Sequence, residues 1–114
     1  MINQESVEMT FTDIIYKKKD AVAHITINRP EVYNALRGKT TDEMVTALDD
    51  TKNDDSIRVL IVSGSGPNAF CSGRDQSEDR TSPEYSGTSE GKFIDLIRHM
   101  PKPVIAMVDG FAIG

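Results

Sequence analysis

The 114-residue chain has one cysteine, no tryptophan and only 6% aromatic residues. A single Cys71 excludes an internal disulfide, and without CxxC pairs or His/Cys clusters the sequence offers no zinc site. No metal is expected. Positive charge is scarce too: 13 Lys and Arg stand against 18 Asp and Glu, a net charge of −5, and the longest basic run is Lys17-Lys18-Lys19. Such a chain lacks the basic stripe that would neutralise several phosphates, which argues against nucleic acid as a partner. No apolar stretch approaches the roughly 18 residues of a membrane span, and the opening MINQESVEMT has neither the basic n-region nor the apolar core of a secretory signal. These absences predict a cytoplasmic protein that engages no membrane. The length suits one core and excludes two full domains.

What is present is a sequence of alternating element types. Residues 1–10 are polar and aperiodic, which predicts a flexible leader, with the folded part running over 11–114. Ala21, Ala23, Ile25 and Ile27 alternate with Val22, His24 and Thr26, the period of a half-buried strand. With Phe11 to Tyr16 before it, this predicts an antiparallel hairpin that ends at Asn28-Arg29-Pro30. Thr40 and Glu43 have capping-box spacing, and Met44, Ala47, Leu48 and Thr51 follow on one helical face, predicting a helix of about three turns up to Lys52 or Asn53. Ile57 to Val62 reads as a strand covered on both faces. From Cys71 to Gly91 no period is visible, so a long surface loop is expected. Phe93, Ile94, Leu96, Ile97 and Met100 then mark a helix beginning near Ser89 or Glu90 and stopped by Pro101 and Pro103. Val104 to Val108 reads as another buried strand, and Asp109 to Gly114 as a turn opening a new element. The order β-β-α-β-loop-α-β implies an α/β fold with right-handed crossovers. An apolar strand so close to the last residue would leave a bare sheet edge, so the expectation is a truncated chain.

Few residues qualify as chemistry on their own. His24 on a strand and His99 in a last helical turn have no nucleophile at suitable spacing and read as surface or capping histidines. Ser72 lacks the second flanking glycine of a nucleophile elbow. Cys71 reads as packing, and Met44 and Met100 as core. Gly64-Ser65-Gly66-Pro67-Asn68-Ala69 formally matches a dinucleotide fingerprint, with Glu84 as the ribose acid, but Phe70 to Gly73 has no helical period to receive a pyrophosphate. An NAD-binding α/β domain stays open as a lesser alternative. The more informative loop is Ala69 to Gln76, whose small residues after a buried strand suit either a plain surface loop or backbone donors aimed at an oxyanion.

Three segments, Ile25-Thr26-Ile27-Asn28-Arg29-Pro30 leading to Asn34-Ala35-Leu36, Ala69 to Gln76, and Pro101-Lys102-Pro103-Val104-Ile105-Ala106 leading to Asp109-Gly110-Phe111-Ala112-Ile113-Gly114, together resemble the crotonase (enoyl-CoA hydratase/isomerase) superfamily. The resemblance covers nearly all of the chain from Phe11. Within the superfamily, Cys71-Ser72-Gly73-x-Asp75-Gln76 looks most like 1,4-dihydroxy-2-naphthoyl-CoA synthase and 2-ketocyclohexanecarboxyl-CoA hydrolase. The resemblance implies the N-terminal portion of a crotonase-like spiral of ββα units, acting as a lyase or isomerase on an acyl-CoA through a thioester enolate. It implies coenzyme A as part of the substrate with no tightly bound cofactor, and a homo-oligomer, trimer or hexamer. Carried over by motif, the backbone N–H of Arg74 is the first oxyanion donor. Tyr33, Asn34, Ser72, Gly73, Asp75, Gln76 and Tyr85 would line the CoA and acyl pocket, and Phe111, Ala112, Ile113 and Gly114 would approach the thioester. The second donor is expected just after Gly114. The chain departs from the pattern at Arg74, a position normally small, where a long cation can crowd the acyl group or pair with a CoA phosphate. A chain that carries only one wall of the site leaves a second class of reading open, a non-catalytic CoA-binding or assembly fragment.

Overall fold

The structure is a computed structural model that describes residues 9–78, 81 and 89–113. Strands β1 (Ile14–Lys19) and β2 (Val22–Ile27) pair antiparallel with Lys19 opposite Val22. The hairpin is as expected, but its first arm lies three residues later than Phe11 to Tyr16. The turn holds Asp20 and Ala21 at φ 53° and 68°, the left-handed pair of a type I′ turn, so Ala21 belongs to the turn and not to the strand. Because β1 is a sheet edge, three successive lysines fit within it, and Lys18 reaches Asp50 and Asp54 at 2.8 Å each.

Helix α1 (Gly38–Asn53) crosses to β3 (Val59–Gly64), which lies parallel to β2, and β5 (Val104–Ala106) lies parallel to β3, giving the sheet order β1-β2-β3-β5. Met44, Ala47, Leu48 and Thr51 of α1 are buried as their spacing requires. Met44, Ala47 and Leu48 meet Ile14, Ala23, Ile25, Ile27, Leu60 and Val62 in one cluster. Burying each large aliphatic side chain there contributes about 1.5–3 kcal/mol.

The expected capping box is corrected. The helix begins two residues before Thr40, whose hydroxyl accepts the Arg37 N–H at 3.2 Å, while Glu43 accepts the N–H groups of Thr12, Asp13 and Ile14 instead of turning back on the helix. A non-local demand took the carboxylate.

Three further expectations change. β3 sits two residues later than Ile57 to Val62, and β5 is shorter than Val104 to Val108, with Ile105, Met107 and Val108 more than half exposed rather than covered on both faces. Two short strands, β4 (Ala69–Cys71) and β6 (Phe111–Ala112), pair parallel in a second sheet where a loop and a turn were expected. Strands of three and two residues are too short to show a period. Helix α2 (Ser89–Arg98) packs on α1 through Phe93, Leu96 and Ile97, whereas Ile94 is only partly covered.

The dinucleotide fingerprint is also overturned, because β4 and not a helix follows Gly64 to Ala69. A Cβ at Gly64 would stand 2.4 Å from the Phe70 carbonyl oxygen and 2.8 Å from Asn34 Nδ2, so that glycine serves close chain packing. Glu84, most of the expected leader, Tyr85 and Gly114 lie outside the described residues.

Candidate functional site

Leaving β4, the chain turns at Gly73, whose φ of +98° only glycine adopts without strain. It then forms an isolated parallel bridge between Arg74 and Leu36. The Leu36 N–H donates to the Gly73 oxygen at 2.8 Å, and the Asp75 N–H donates to the Leu36 oxygen at 2.7 Å. In a parallel ladder the residue opposite such a doubly bonded partner presents its own N–H and C=O to the other side. Arg74 therefore directs its main-chain groups away from Leu36, where the Gln76 amide lies 3.4 Å from the Arg74 oxygen.

Buried polar side chains fix this loop. Asn34, fully buried in left-handed backbone, accepts the Arg29 N–H and donates to the Ser65 and Ala69 oxygens. With its amide so committed, Asn34 anchors β4 and does not face an open pocket. Arg29 donates to the Ala35 oxygen and pairs with Asp75 at 3.1 Å. Asp75 also accepts the Ser77 N–H and hydroxyl, and those bonds, with the Arg29 charge, hold its carboxyl below the usual range. Asp13 receives a bidentate fork from Arg37 at 2.8 and 2.7 Å and the Thr40 hydroxyl at 2.6 Å. Burial pushes the Asp13 carboxyl up, but the Arg37 and Thr40 hydrogen bonds and the Arg37 and Arg29 charges outweigh it and set it at about 2.

Beside the loop lies a cavity of about 430 Å³, within the size range of ligand pockets. Leu36, Cys71, Phe93, Ile94 and Ile113 give it apolar walls, and Gly73, Arg74 and the start of α1 at Gly38 and Thr41 complete the lining. Three further charged residues join Arg74 there. Arg37 is held by Asp13, Glu78 accepts the Gly38 N–H at 2.8 Å, and Glu90 pairs with the Arg74 guanidinium. Arg74 thus borders the cavity with its guanidinium ion-paired to the first turn of α2.

The expected site residues divide accordingly. Gly73, Arg74 and Ile113 meet at the cavity, with the Ile113 N–H bonded to the Cys71 oxygen at 2.9 Å. Tyr33 and Phe111 form an exposed edge-to-face ring pair at 6.4 Å, and the Tyr33 oxygen accepts the Ser72 N–H. Ala112 and Gln76 are exposed nearby in sequence, and Asn34 and Asp75 belong to the scaffold. His24 instead bonds Ser63 at 2.8 Å, and His99 stands near the Asp95 oxygen, neither at the cavity. Sequence reasoning missed Arg37, Gly38, Thr41, Glu78, Glu90, Phe93 and Ile94 as lining. The one available signal was the breadth of the apolar stripe on α2, wider than a helix packed on one neighbour requires.

The enoyl-CoA hydratase/isomerase family model matches residues 17–114. Solved structures agree. An enoyl-CoA hydratase/isomerase from Xanthobacter autotrophicus Py2 is 35% identical with a TM-score of 0.73, over 89% of this chain and 40% of that one. An enoyl-CoA hydratase/carnithine racemase from Magnetospirillum magneticum is 31% identical with a TM-score of 0.75, over 89% and 40%. An enoyl-CoA hydratase from Rhodobacter sphaeroides 2.4.1 is 28% identical with a TM-score of 0.77, over 88% and 32%. The fold is the mixed α/β fold of crotonases, and the chain belongs to the enoyl-CoA hydratase/isomerase family. It spans 40% of the length of the first two of these solved relatives and 32% of the third. Among the described residues no helix is long and apolar enough to cross a membrane.

Proposed function

We propose that the chain supplies one wall of an acyl-CoA site, in which the backbone N–H of Arg74 donates to the thioester oxygen as the α-carbon becomes an enolate. The observation that carries this reading is the Leu36–Arg74 bridge. It fixes the main chain at a residue bordering an apolar cavity and aims the Arg74 peptide away from Leu36. A donor held in place before the charge develops needs no reorganisation at the moment of reaction, and one such donor is typically worth about 2.7–4 kcal/mol. The acyl group would occupy the cavity beside Gly73 and Ile113, while Tyr33, Ser72 and Phe111 would border the path of the CoA moiety. Coenzyme A enters as part of the substrate. The Cys71-Ser72-Gly73-x-Asp75-Gln76 motif supports a naphthoyl-CoA synthase-like or ring-cleaving hydrolase branch, and the family supports a cytoplasmic homo-oligomer.

The test is ligand protection followed by kinetics. A saturated acyl-CoA is expected to raise Tm, and NAD is not; a shift with NAD alone rejects the reading. In the active enzyme, Arg74→Pro removes one donor and should lower kcat by about 10²–10³, whereas Arg74→Gly keeps the N–H and should retain turnover. Equal loss in both variants would assign the role to the guanidinium instead.

A further inference from the structure

We infer that Arg29 is a positioning residue for the thioester carbonyl: one buried guanidinium grips both strands of the Leu36–Arg74 bridge and fixes the main chain of 73–75, where the carbonyl oxygen is met. The inference deepens the acyl-CoA reading and rests on it. Its basis is where the guanidinium sits. Nη1 donates to the Ala35 oxygen at 2.6 Å, one residue before Leu36, and Nη2 stands 3.1 Å from Asp75 Oδ2, one residue after Arg74. The two halves of the bridge are therefore tied by a single planar group, a geometry that the point charge of a lysine does not reproduce. Arg29 is itself held. Its N–H donates to Asn34 Oδ1 and its oxygen accepts the Asn34 N–H, both at 2.8 Å. On the far side, Asp75 Oδ1 takes the Ser77 N–H and hydroxyl, so the carboxylate is tethered at both oxygens. The side chains of Arg29 and Asp75 are only 10% and 11% exposed, and burying an ion pair adds little net stability because desolvation offsets the attraction. The apolar cluster under α1 contains neither residue. What the pair supplies is the placement of a peptide group beside the cavity, where a donor works best if it is aimed before the substrate arrives.

The test is calorimetric titration with butyryl-CoA and S-butyl-CoA, the thioether that carries two hydrogens in place of the carbonyl oxygen. The protein should bind the thioester about threefold to tenfold more tightly, the size expected for one hydrogen bond to a neutral oxygen. Asp75→Asn and Arg29→Lys should each bring that ratio to within about twofold of one, while affinity for the thioether stays within about twofold of the parent value. Both variants should fold, because Asp13 at 3.9 Å still faces the guanidinium in the first and the Ser77 bonds still hold Asp75 in the second. A ratio unmoved in either variant, as when both ligands weaken equally, or loss of the fold makes the pair structural alone and overturns the inference while the acyl-CoA reading stands. A parent that binds both ligands without preferring the thioester overturns the oxyanion-donor reading and this inference with it. A parent that binds neither overturns acyl-CoA binding altogether.

Discussion

The β1–β3 strands with α1 and the segment from β5 to β6 use the same kinds of side chain and treat them oppositely. Ile25, Leu48 and Leu60 are sealed from solvent, whereas Ile105, Met107, Val108, Phe111 and Ile113 are all more than half exposed. The difference lies in their neighbours. Among the described residues, β2 has a strand on each edge and α1 over one face, while β5 has β3 on one edge only. Apolar character therefore measures what a segment can bury, and topology decides whether it does. The sealed part carries stability, and the sparsely covered part lies next to the cavity through Ile113. Binding surfaces are drawn from such regions because they can change partners without unfolding the core.

The largest test of that contrast is a pair of truncations. Leu48→Ala should cost about 2–5 kcal/mol, because α1 cannot collapse into the hole between β2 and β3. Ile105→Ala removes as many carbons from an exposed position and should stay within about 0.5 kcal/mol. Urea denaturation of both variants measures the gap. Equal costs would mean that the 104–113 segment is as much a part of the core as α1.

The sealed part should also be the acid-sensitive one. Asp13 titrates at about 2 when folded against 3.8 in its ordinary state, so its contribution is complete above roughly pH 4 and is lost as pH falls toward 2. Asp54, held down at about 2 first by the Lys18 hydrogen bond and then by Ser56, acts in the same direction and the same window. For Asp13, whose carboxylate is buried, the linked stability is roughly 2 kcal/mol. Asp13→Asn should lower Tm at pH 7 and flatten the decline between pH 4 and 2. A Tm that falls as steeply in Asp13→Asn as in the parent would place the acid-labile group elsewhere.

The same division explains how much could be read from the sequence. β2, the buried face of α1 and the extent of α2 were legible because each repeats its period over several turns or residues. β1 was misplaced by three residues because Lys17, Lys18 and Lys19 look like a loop until Asp50 and Asp54 are brought beside the edge. The start of α1 was misjudged because Thr40 and Glu43 answer Asp13 and the backbone of 12–14, partners more than twenty residues away. β4 and β6 exist only as a pair, and neither segment alone announces a strand. At the site, the resemblance pointed to Gly73 and Arg74, which border the cavity, but Asn34 and Asp75 carry motif positions whose side chains are committed to the scaffold. Glu90 was invisible for the opposite reason. An acidic residue in a first helical turn is already explained by the helix dipole, so nothing in the sequence marks its partner on another loop.

The smallest expected effect concerns Lys102, which ties the sparse segment to the dense one. Its ammonium donates to the Thr51 and Asp54 oxygens at 2.6 Å each, closing the C-terminal end of α1 from the loop that enters β5. The Thr51 oxygen also accepts the Asp54 N–H at 3.4 Å and the Asp54 oxygen the Ile57 N–H at 3.0 Å, and a cation there favours the helix dipole. Lys102→Met keeps the aliphatic stem and removes the donors, for an expected cost of about 1–2 kcal/mol. Its signature should be local. The Leu60 N–H bonds the Pro103 oxygen and the Met107 N–H bonds the Val62 oxygen, so hydrogen exchange should accelerate at these β5 contacts and at the last turn of α1. Exchange at Ala23 and Ile25, inside the sealed hairpin, should change only by the global loss. If the two sets accelerate equally, Lys102 stabilises the whole molecule uniformly, and the 104–113 segment is not a separately yielding part of it.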